Sequence, residues 1–259
     1  LRRVDDSVAM VVVEQSLLLR RARGYVPLSL PIADVAGTAV LALGAQQKST
    51  VCFSAGGQMI PSAEIGDLSS VETMAVYRET VRDMQALLGI VPQTVVCDLH
   101  PDYESTRFAL ETGLPILQVQ HHFAHIASVL AEAGRRGPVI GVALDGTGYG
   151  PDGTVWGGEF LIASAIGFTR AAHVKAIRYI GGDVSVLQGW KSAACLLEDA
   201  QLLNPEEDAR YPMLQKALHG EVNTIRSSSM GRVFDGVSSL LGICHVSTYE
   251  GQCAVELEN

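Results

Sequence analysis

At Pro138 the sequence begins a pattern that it has already completed once, and this repetition constrains the fold more than any single motif. The first pass opens near Ala36. "TAVLALGA", "STVCFSA" and "QMIPSAEIG" are three apolar runs divided by turn residues, with Gly56-Gly57 set for a hairpin. Val71, Met74, Ala75, Val81, Met84 and Leu88 then recur at helical spacing. "QTVVCDL" reads as a short buried strand, residues 103–112 as a helix, "LPILQVQ" as a strand, and "VQHHFAHIASVLAEAG" opens the helix that follows. The second pass starts with "PVIGVALDGTGYGPDGTVWGGEFLIASA", a strand, a glycine-rich turn and a second strand. "TRAAHVKAI" is the third strand, and helices follow around 188–203, 211–219, 230–241 and 249–258. Two successive units of three antiparallel strands followed by helices predict a duplicated α/β architecture. Residues 33–137 form the first lobe and 138–259 the second, with ligands at loops facing a cleft between them. Residues 1–32 stand apart: "VAMVVV" is a strand, and "RRARGYVPLSLPI" is a basic turn leading into a proline-punctuated linker.

The bulk numbers exclude several classes. A chain of 259 residues, 47% hydrophobic and 18% charged, builds a packed core easily. A formal net charge of −9 opposes phosphate neutralisation, so nucleic acid is not an expected partner; the dense basic patch is confined to Arg20, Arg21 and Arg23. Five cysteines (52, 97, 195, 244 and 253) make an odd number without a C-x-x-C pair, which argues against a disulfide framework and for a reducing cytoplasm. Cys97 and Cys195 sit among apolar neighbours, where packing is the expected role. Membrane-spanning runs and a signal peptide are not seen. The chain opens on Leu1 inside an apparent strand, so a fragment is expected.

Three stretches could carry chemistry. His121 and His125 stand at i and i+4, one face of a helix, close enough to share a cation; His122 is turned away by roughly 100°. The glutamate of H-E-x-x-H is missing, which disfavours metalloprotease chemistry. The alternative is that these histidines bond nearby backbone or pack in the core. In "ALDGTGYGPDGTVWGG", Asp145 ends a strand and Gly146, Thr147 and Gly148 make a tight turn, whose N–H groups could cradle a phosphate. A Walker lysine is absent, and an ordinary hairpin uses the same residues. "SSSMGRVFDGVSSLLGI" places serines before a helix that carries Asp235, either a surface residue or an acceptor for a ribose, and "YEGQCAVELE" opens another helix at Gly251. Asp98, His100 and Asp102 lie at a strand end, as functional groups or, for Asp102, as a helix cap. No catalytic residue is assigned, because separation along the chain says nothing of geometry.

Taken together, "RRARGYVP", "IGDL", "DLHPDYEST", "VQHHFAHIASVLAE", "GVALDGTGYGPDGTVWGGEF", "SSMGRVFDGVSSLLGI" and "YEGQCAVELE" occur in the order seen in the HypF family, the carbamoyltransferases of [NiFe]-hydrogenase maturation, which this chain resembles along nearly its whole length. The resemblance implies the tail of a YrdC-like α/β domain over residues 1–32 and then a TsaD-like domain of duplicated actin-like ATPase (RNase H-like) lobes. It implies ATP and carbamoyl phosphate as substrates, a carbamoyl adenylate intermediate, AMP and pyrophosphate as products, and the C-terminal cysteine of HypE as acceptor, where dehydration yields the cyanide ligand of the active-site iron. It implies His121 and His125 as ligands to a divalent metal (Zn, Fe or Mg), and Leu144, Asp145, Gly146, Thr147 and Gly148 at the nucleotide phosphates. Asp235 and Gly251 would lie at the nucleoside, and Arg21, Arg23 and Tyr25 in the YrdC nucleotide pocket. The chain departs from the family at Glu64, where a histidine is usual, and in "VSVLQGWKSA" after Asp183. A third ligand, an aspartate near the domain's C-terminus in relatives, has no counterpart before Asn259. The competing readings are a TsaD-like tRNA threonylcarbamoyl transferase and a non-catalytic nucleotide-binding fragment.

Overall fold

The computed structural model describes residues 5–32 and 37–259; the expected start of the first repeat, near Ala36, lies outside the described residues. Two compact units result. One runs to His121 and takes in Ala131–Arg135; the other comprises His122–Leu130 and Arg136–Asn259.

The first unit opens with a hairpin, β1 (Val8–Val12) and β2 (Gln15–Arg20), which forms its own two-stranded sheet. A six-stranded sheet follows. β3 (Leu30–Pro31) pairs with β6 (Gln58–Pro61), β6 with β5 (Cys52–Ala55), and β5 with β4 (Val40–Ala42), all antiparallel. β7 (Thr94–Asp98) and β8 (Ile116–Val119) then extend the sheet in parallel from β4. The crossovers are α1 (Val71–Leu88) and α2 (Glu104–Glu111), as parallel neighbours require. Gly56 and Gly57 adopt φ of 58° and 76°, the left-handed pair of a tight hairpin turn. Leu30 and Pro31, read from sequence as linker, are an edge strand instead, a position that tolerates proline's missing donor.

Helix α1 starts where the Ser70 side chain accepts from the Thr73 N–H at 3.0 Å and stops at Gly89 in the left-handed conformation. Its buried stripe is Met74, Tyr77, Val81 and Met84; Val71 and Ala75, expected on that face, are exposed. The stripe packs on Leu41, Phe53, Val95 and Cys97 from the strands and on Leu43 and Val51 beside them. Tyr77 donates its buried hydroxyl to Leu43 O at 2.6 Å, which satisfies the one polar atom that its ring carries into the core.

In the second unit, β9 (Val139–Tyr149), β10 (Val155–Ser164) and β11 (Gly167–His173) form an antiparallel meander. β12 (Ile177–Ile180) pairs antiparallel with β13 (Thr224–Ser227), and β13 joins β10 in parallel through Val155 and Ser227. The helices are α3 (His121–Glu132, of which His122–Leu130 lie in this unit), α4 (Asp183–Val186), α5 (Gly189–Asp199), α6 (Tyr211–His219), α7 (Met230–Leu240) and α8 (Gln252–Glu258). The expected third strand ends at His173, and Ile177 begins a separate one; β13 has no counterpart in the sequence reading. Ile126 and Leu130 of α3 pack on Ala143, Trp156, Leu161 and Ala163. A Cβ at Gly141 would fall 2.6 Å from Ile126, so the strand lacks a side chain where the helix lies closest. α5 meets α7 in the same way, through Gly236 against Ala193 and Leu196.

Candidate nucleotide and metal site

The glycine-rich stretch is not the turn that the sequence suggested. β9 continues through Tyr149, and the chain reverses at Gly150–Thr154, where Gly150 N–H bonds Thr154 O at 2.9 Å. Gly148 partners Trp156 and Leu144 partners Gly158, so Asp145, Gly146 and Thr147 face only Gly157 across the ladder. This is a bulge, the other structure that glycines and an aspartate mark in a strand. The Gly146 N–H does not stand open as part of a phosphate nest; it donates to Asp145 Oδ1 at 2.7 Å.

The bulge packs against the start of α7. A Cβ at Gly157 would sit 2.4 Å from Ser229 Cα and 3.0 Å from Asp145 O, and one at Gly231 would sit 3.1 Å from Gly146 Cα. Ser229 caps the helix by accepting from the Arg232 N–H at 3.1 Å. Backbone from β9, β10 and α7 therefore meets with almost no side-chain padding, at the end of a helix that favours anions. Leu144 and Thr147 point to solvent, whereas Gly148 is buried in its pairing with Trp156. Two turns into α7, Asp235 is 8% exposed. Burial pushes its carboxyl up to about 6, against the opposing pull of Arg232. Gly251 is the exposed N-cap of α8.

A buried carboxylate braces this region. Glu159 has no exposed surface. Its oxygens accept from Arg170 Nε and Nη2 at 2.6 and 2.9 Å, from Ser228 Oγ at 2.5 Å and from the Gly157 N–H at 3.1 Å. Burial alone would raise its pKa, but these donors, Arg170 foremost, hold it below the usual carboxylate range. Arg170 stacks 3.9 Å over Trp156, whose indole N–H donates to Asp152 Oδ1 at 3.0 Å. Sequence reasoning passed over Glu159. Its signal was a charged residue at the centre of an otherwise apolar and glycine strand, where an unpaired charge is untenable.

The histidines start α3. A ring nitrogen of His121 and one of His125 lie within 4.8 Å of each other, as i and i+4 should. His125 Nε2 is 3.8 Å from Asp145 Oδ2, and the same oxygen lies 3.7 Å from Nε2 of His122, which is fully buried beside Trp156. His122, set aside on helical spacing, thus meets the carboxylate that His125 meets. Two imidazoles a turn apart, with a carboxylate beside the second, are an N/O donor set suited to Zn²⁺ or Fe²⁺ and less to Mg²⁺. In the first unit, Asp98 accepts from the His100 N–H at 2.9 Å, and its other oxygen lies 2.7 Å from His121 Nδ1. Asp102 does not cap α2: Tyr103 is the N-cap and makes no side-chain bond there.

Arg21, Arg23 and Tyr25 all belong to the first unit. Arg21 donates to the carbonyls of Tyr25 and Leu28, both at 2.8 Å, and so closes the turn after β2. Arg23 pairs with Asp6, and the Tyr25 ring is exposed. Glu64 lies 3.6 Å from Arg20, a surface pair of little energetic weight. The five cysteines are free thiols. Burial raises Cys97 and takes Cys195 up to about 11, as packing residues rather than nucleophiles. No helix among the described residues is long and apolar enough to cross a membrane.

Comparison with known proteins matches residues 36–132 to the HypF Kae1-like domain and residues 141–259 to the second subdomain of the carbamoyltransferase Kae1-like domain. The chain is 42% identical to carbamoyltransferase HypF2 of Cupriavidus necator, over 99% of this chain and 33% of that protein. It is 40% identical to carbamoyltransferase HypF of Rhodobacter capsulatus, over 100% of this chain and 36% of that one. It therefore spans about a third of the length of these curated relatives. Among solved structures, a full-length HypF in its phosphate- and nucleotide-bound form superposes with a TM-score of 0.92 at 36% identity, covering 99% of this chain and 41% of that one. HypF of T. kodakarensis gives 0.88 at 33% identity, covering 99% and 36%. On these matches the chain belongs to the HypF family and carries its Kae1-like domain.

Proposed function

We propose that this chain is the carbamoyl-transferring portion of a HypF-type carbamoyltransferase of [NiFe]-hydrogenase maturation. In this reading the intact protein hydrolyses carbamoyl phosphate to carbamate and inorganic phosphate, and the carbamate oxygen attacks the α-phosphorus of ATP to give a carbamoyl adenylate and release pyrophosphate. It then passes the carbamoyl group to the C-terminal cysteine thiolate of HypE, releasing AMP. The observation that carries the reading is the side-chain-poor junction of the Asp145–Thr147 bulge, Gly157 and the N-terminus of α7. Such a junction presents the positive N-terminal end of α7 with few side chains around it, an environment that favours a polyphosphate. Asp235, a buried acceptor on the same helix, is proposed to hold the ribose, and Gly251 to lie at the nucleoside. Arg21, Arg23 and Tyr25 are assigned to a separate nucleotide pocket of the YrdC-like portion.

His121 and His125 are the proposed ligands of a divalent metal, with Asp145 as an oxygen donor beside His125. When bound, the metal would supply positive charge to a phosphate or carbamoyl oxygen. The remaining catalysis falls to positioning. AMP is a good leaving group, and the protein's task is to hold the adenylate where the incoming thiolate reaches its carbonyl carbon. Glu159 contributes by fixing Ser228 and Gly157, not by touching substrate.

The test supplies carbamoyl phosphate, ATP and purified HypE to the intact protein and follows HypE by mass spectrometry. A carbamoyl adduct on the terminal cysteine is expected. Absence of the adduct, with modification of a tRNA instead, would overturn the assignment.

A further inference from the structure

The geometry points to Asp98 as the positioning carboxylate of His121, the residue that sets which ring nitrogen a metal receives. This rests on the metal reading above. β7 and β8 run parallel with Asp98 opposite Val119, so the chain leaving β8 delivers His121 beside the Asp98 side chain within the first unit. That side chain is 5% exposed, and its two oxygens have different tasks. One accepts from the His100 N–H at 2.9 Å and shapes the loop after β7; the other lies 2.7 Å from His121 Nδ1.

A carboxylate oxygen there accepts, so His121 carries its proton on Nδ1 and its lone pair on Nε2. A metal takes that lone pair. A carboxylate behind a ligating imidazole fixes both tautomer and ring orientation and raises the basicity of the ligating nitrogen. Loss of such partners costs about 10–100-fold in metal affinity. In the sequence, Asp98 and His121 are 23 residues apart and belong to different motifs, so only the strand pairing joins them.

Asp98→Asn is the decisive substitution because it is isosteric. The asparagine carbonyl can still accept from the His100 N–H, which leaves its amide NH₂ facing His121 Nδ1. That donor reverses the tautomer and places the ring proton on Nε2, where the metal should bind. The experiment measures Zn²⁺ affinity of the metal-stripped intact protein by competition with a chromophoric chelator, for wild type, Asp98→Asn, Asp98→Glu and His125→Ala. The melting temperature of each metal-stripped protein is recorded alongside. Expected are a loss in Asp98→Asn of about 10–100-fold, partial recovery in Asp98→Glu, and melting of the stripped Asp98→Asn protein as in wild type. If His125→Ala binds Zn²⁺ as wild type does, the metal reading fails and the proposal with it. If His125→Ala loses Zn²⁺ and Asp98→Asn does not, the metal reading stands and the role of Asp98 is refuted. If the stripped Asp98→Asn protein melts several degrees lower, its affinity loss is structural and the role is likewise refuted.

Discussion

Replacing Glu159 with alanine removes the acceptor that gathers Arg170, Ser228 and the Gly157 amide. The wild-type carboxylate takes four hydrogen bonds at 2.5–3.1 Å with no exposure to water. Deleting one partner of a buried ion pair costs about 3–5 kcal/mol, because the other charge keeps its desolvation penalty. Arg170 retains an oxygen of Asp152 at 3.5 Å and the face of Trp156 at 3.9 Å, so the low end of that range, about 3 kcal/mol, applies. At roughly 2–4 °C per kcal/mol for a domain of this size, the melting temperature falls by about 6–12 °C. Scanning calorimetry at neutral pH measures it. The pH dependence is a second check with a fixed sign. The folded-state pKa of Glu159 is depressed, so its contribution is present above the unfolded carboxylate value and is lost as pH falls through the folded one. The gap between wild type and Glu159→Ala is therefore full at neutral pH and narrows in acid, below about pH 4.3. A fall under about 2 °C at neutral pH, or a gap that stays constant into strong acid, would falsify the account of Glu159 as the brace of this region.

Other substitutions probe the same unit. Gly157→Ala drives a Cβ to 2.4 Å from Ser229 Cα, and should cost about 1–3 kcal/mol and weaken ATP binding by calorimetric titration. Gly167→Ala, with nothing near its Cβ, should match wild type in both measurements. Gly141→Ala should destabilise by crowding Ile126, and in a double-mutant cycle its cost should shrink when Ile126 is also alanine; strict additivity would show that the two do not touch. Asp235 behaves oppositely to Glu159. Its folded pKa is raised to about 6, so its contribution is favourable below the unfolded value and is lost as pH rises through about 6. Asp235→Asn should therefore melt higher than wild type at neutral pH, with the gain vanishing in acid, while ATP affinity falls; a lower melting point at neutral pH counts against the desolvation argument.

Much of the fold was readable because local signals agreed. The helical spacing of Met74, Val81 and Met84 marks α1, and Gly56-Gly57 marks the β5–β6 hairpin. The misreadings have physical causes. Asp-Gly-Thr-Gly chemistry serves a bulge as well as a turn, and only the pairing of Leu144 with Gly158 tells which. β13 is four residues, "TIRS", without apolar alternation, and depends on partners 44–50 and 72 residues away. The β1–β2 turn places Val13 and Glu14 at positive φ, a conformation that their residue types do not announce. For the candidate site, the spacing of His121 and His125 was legible. A helical wheel gives an angle but not what stands opposite, so it carries no sign of Asp145, which lies within 4 Å of both His122 and His125. The partnerships of Asp98 with His121 and of Glu159 with Arg170 are tertiary and leave no local trace.

The β1–β2 hairpin carries a consequence for the chain in solution. Every residue of β1 is exposed, Val11 at 74%, and Leu17 and Leu19 on β2 are more than half exposed. A two-stranded ribbon alone is marginally stable in water, so its amides should exchange with deuterium among the fastest in the chain, while those around Val95 wait for deeper opening. Its two edges offer backbone groups to any extended segment that arrives, and its apolar faces reward the arrival. About a dozen residues with no part in metal binding or in the brace around Glu159 thus offer a ready surface for association.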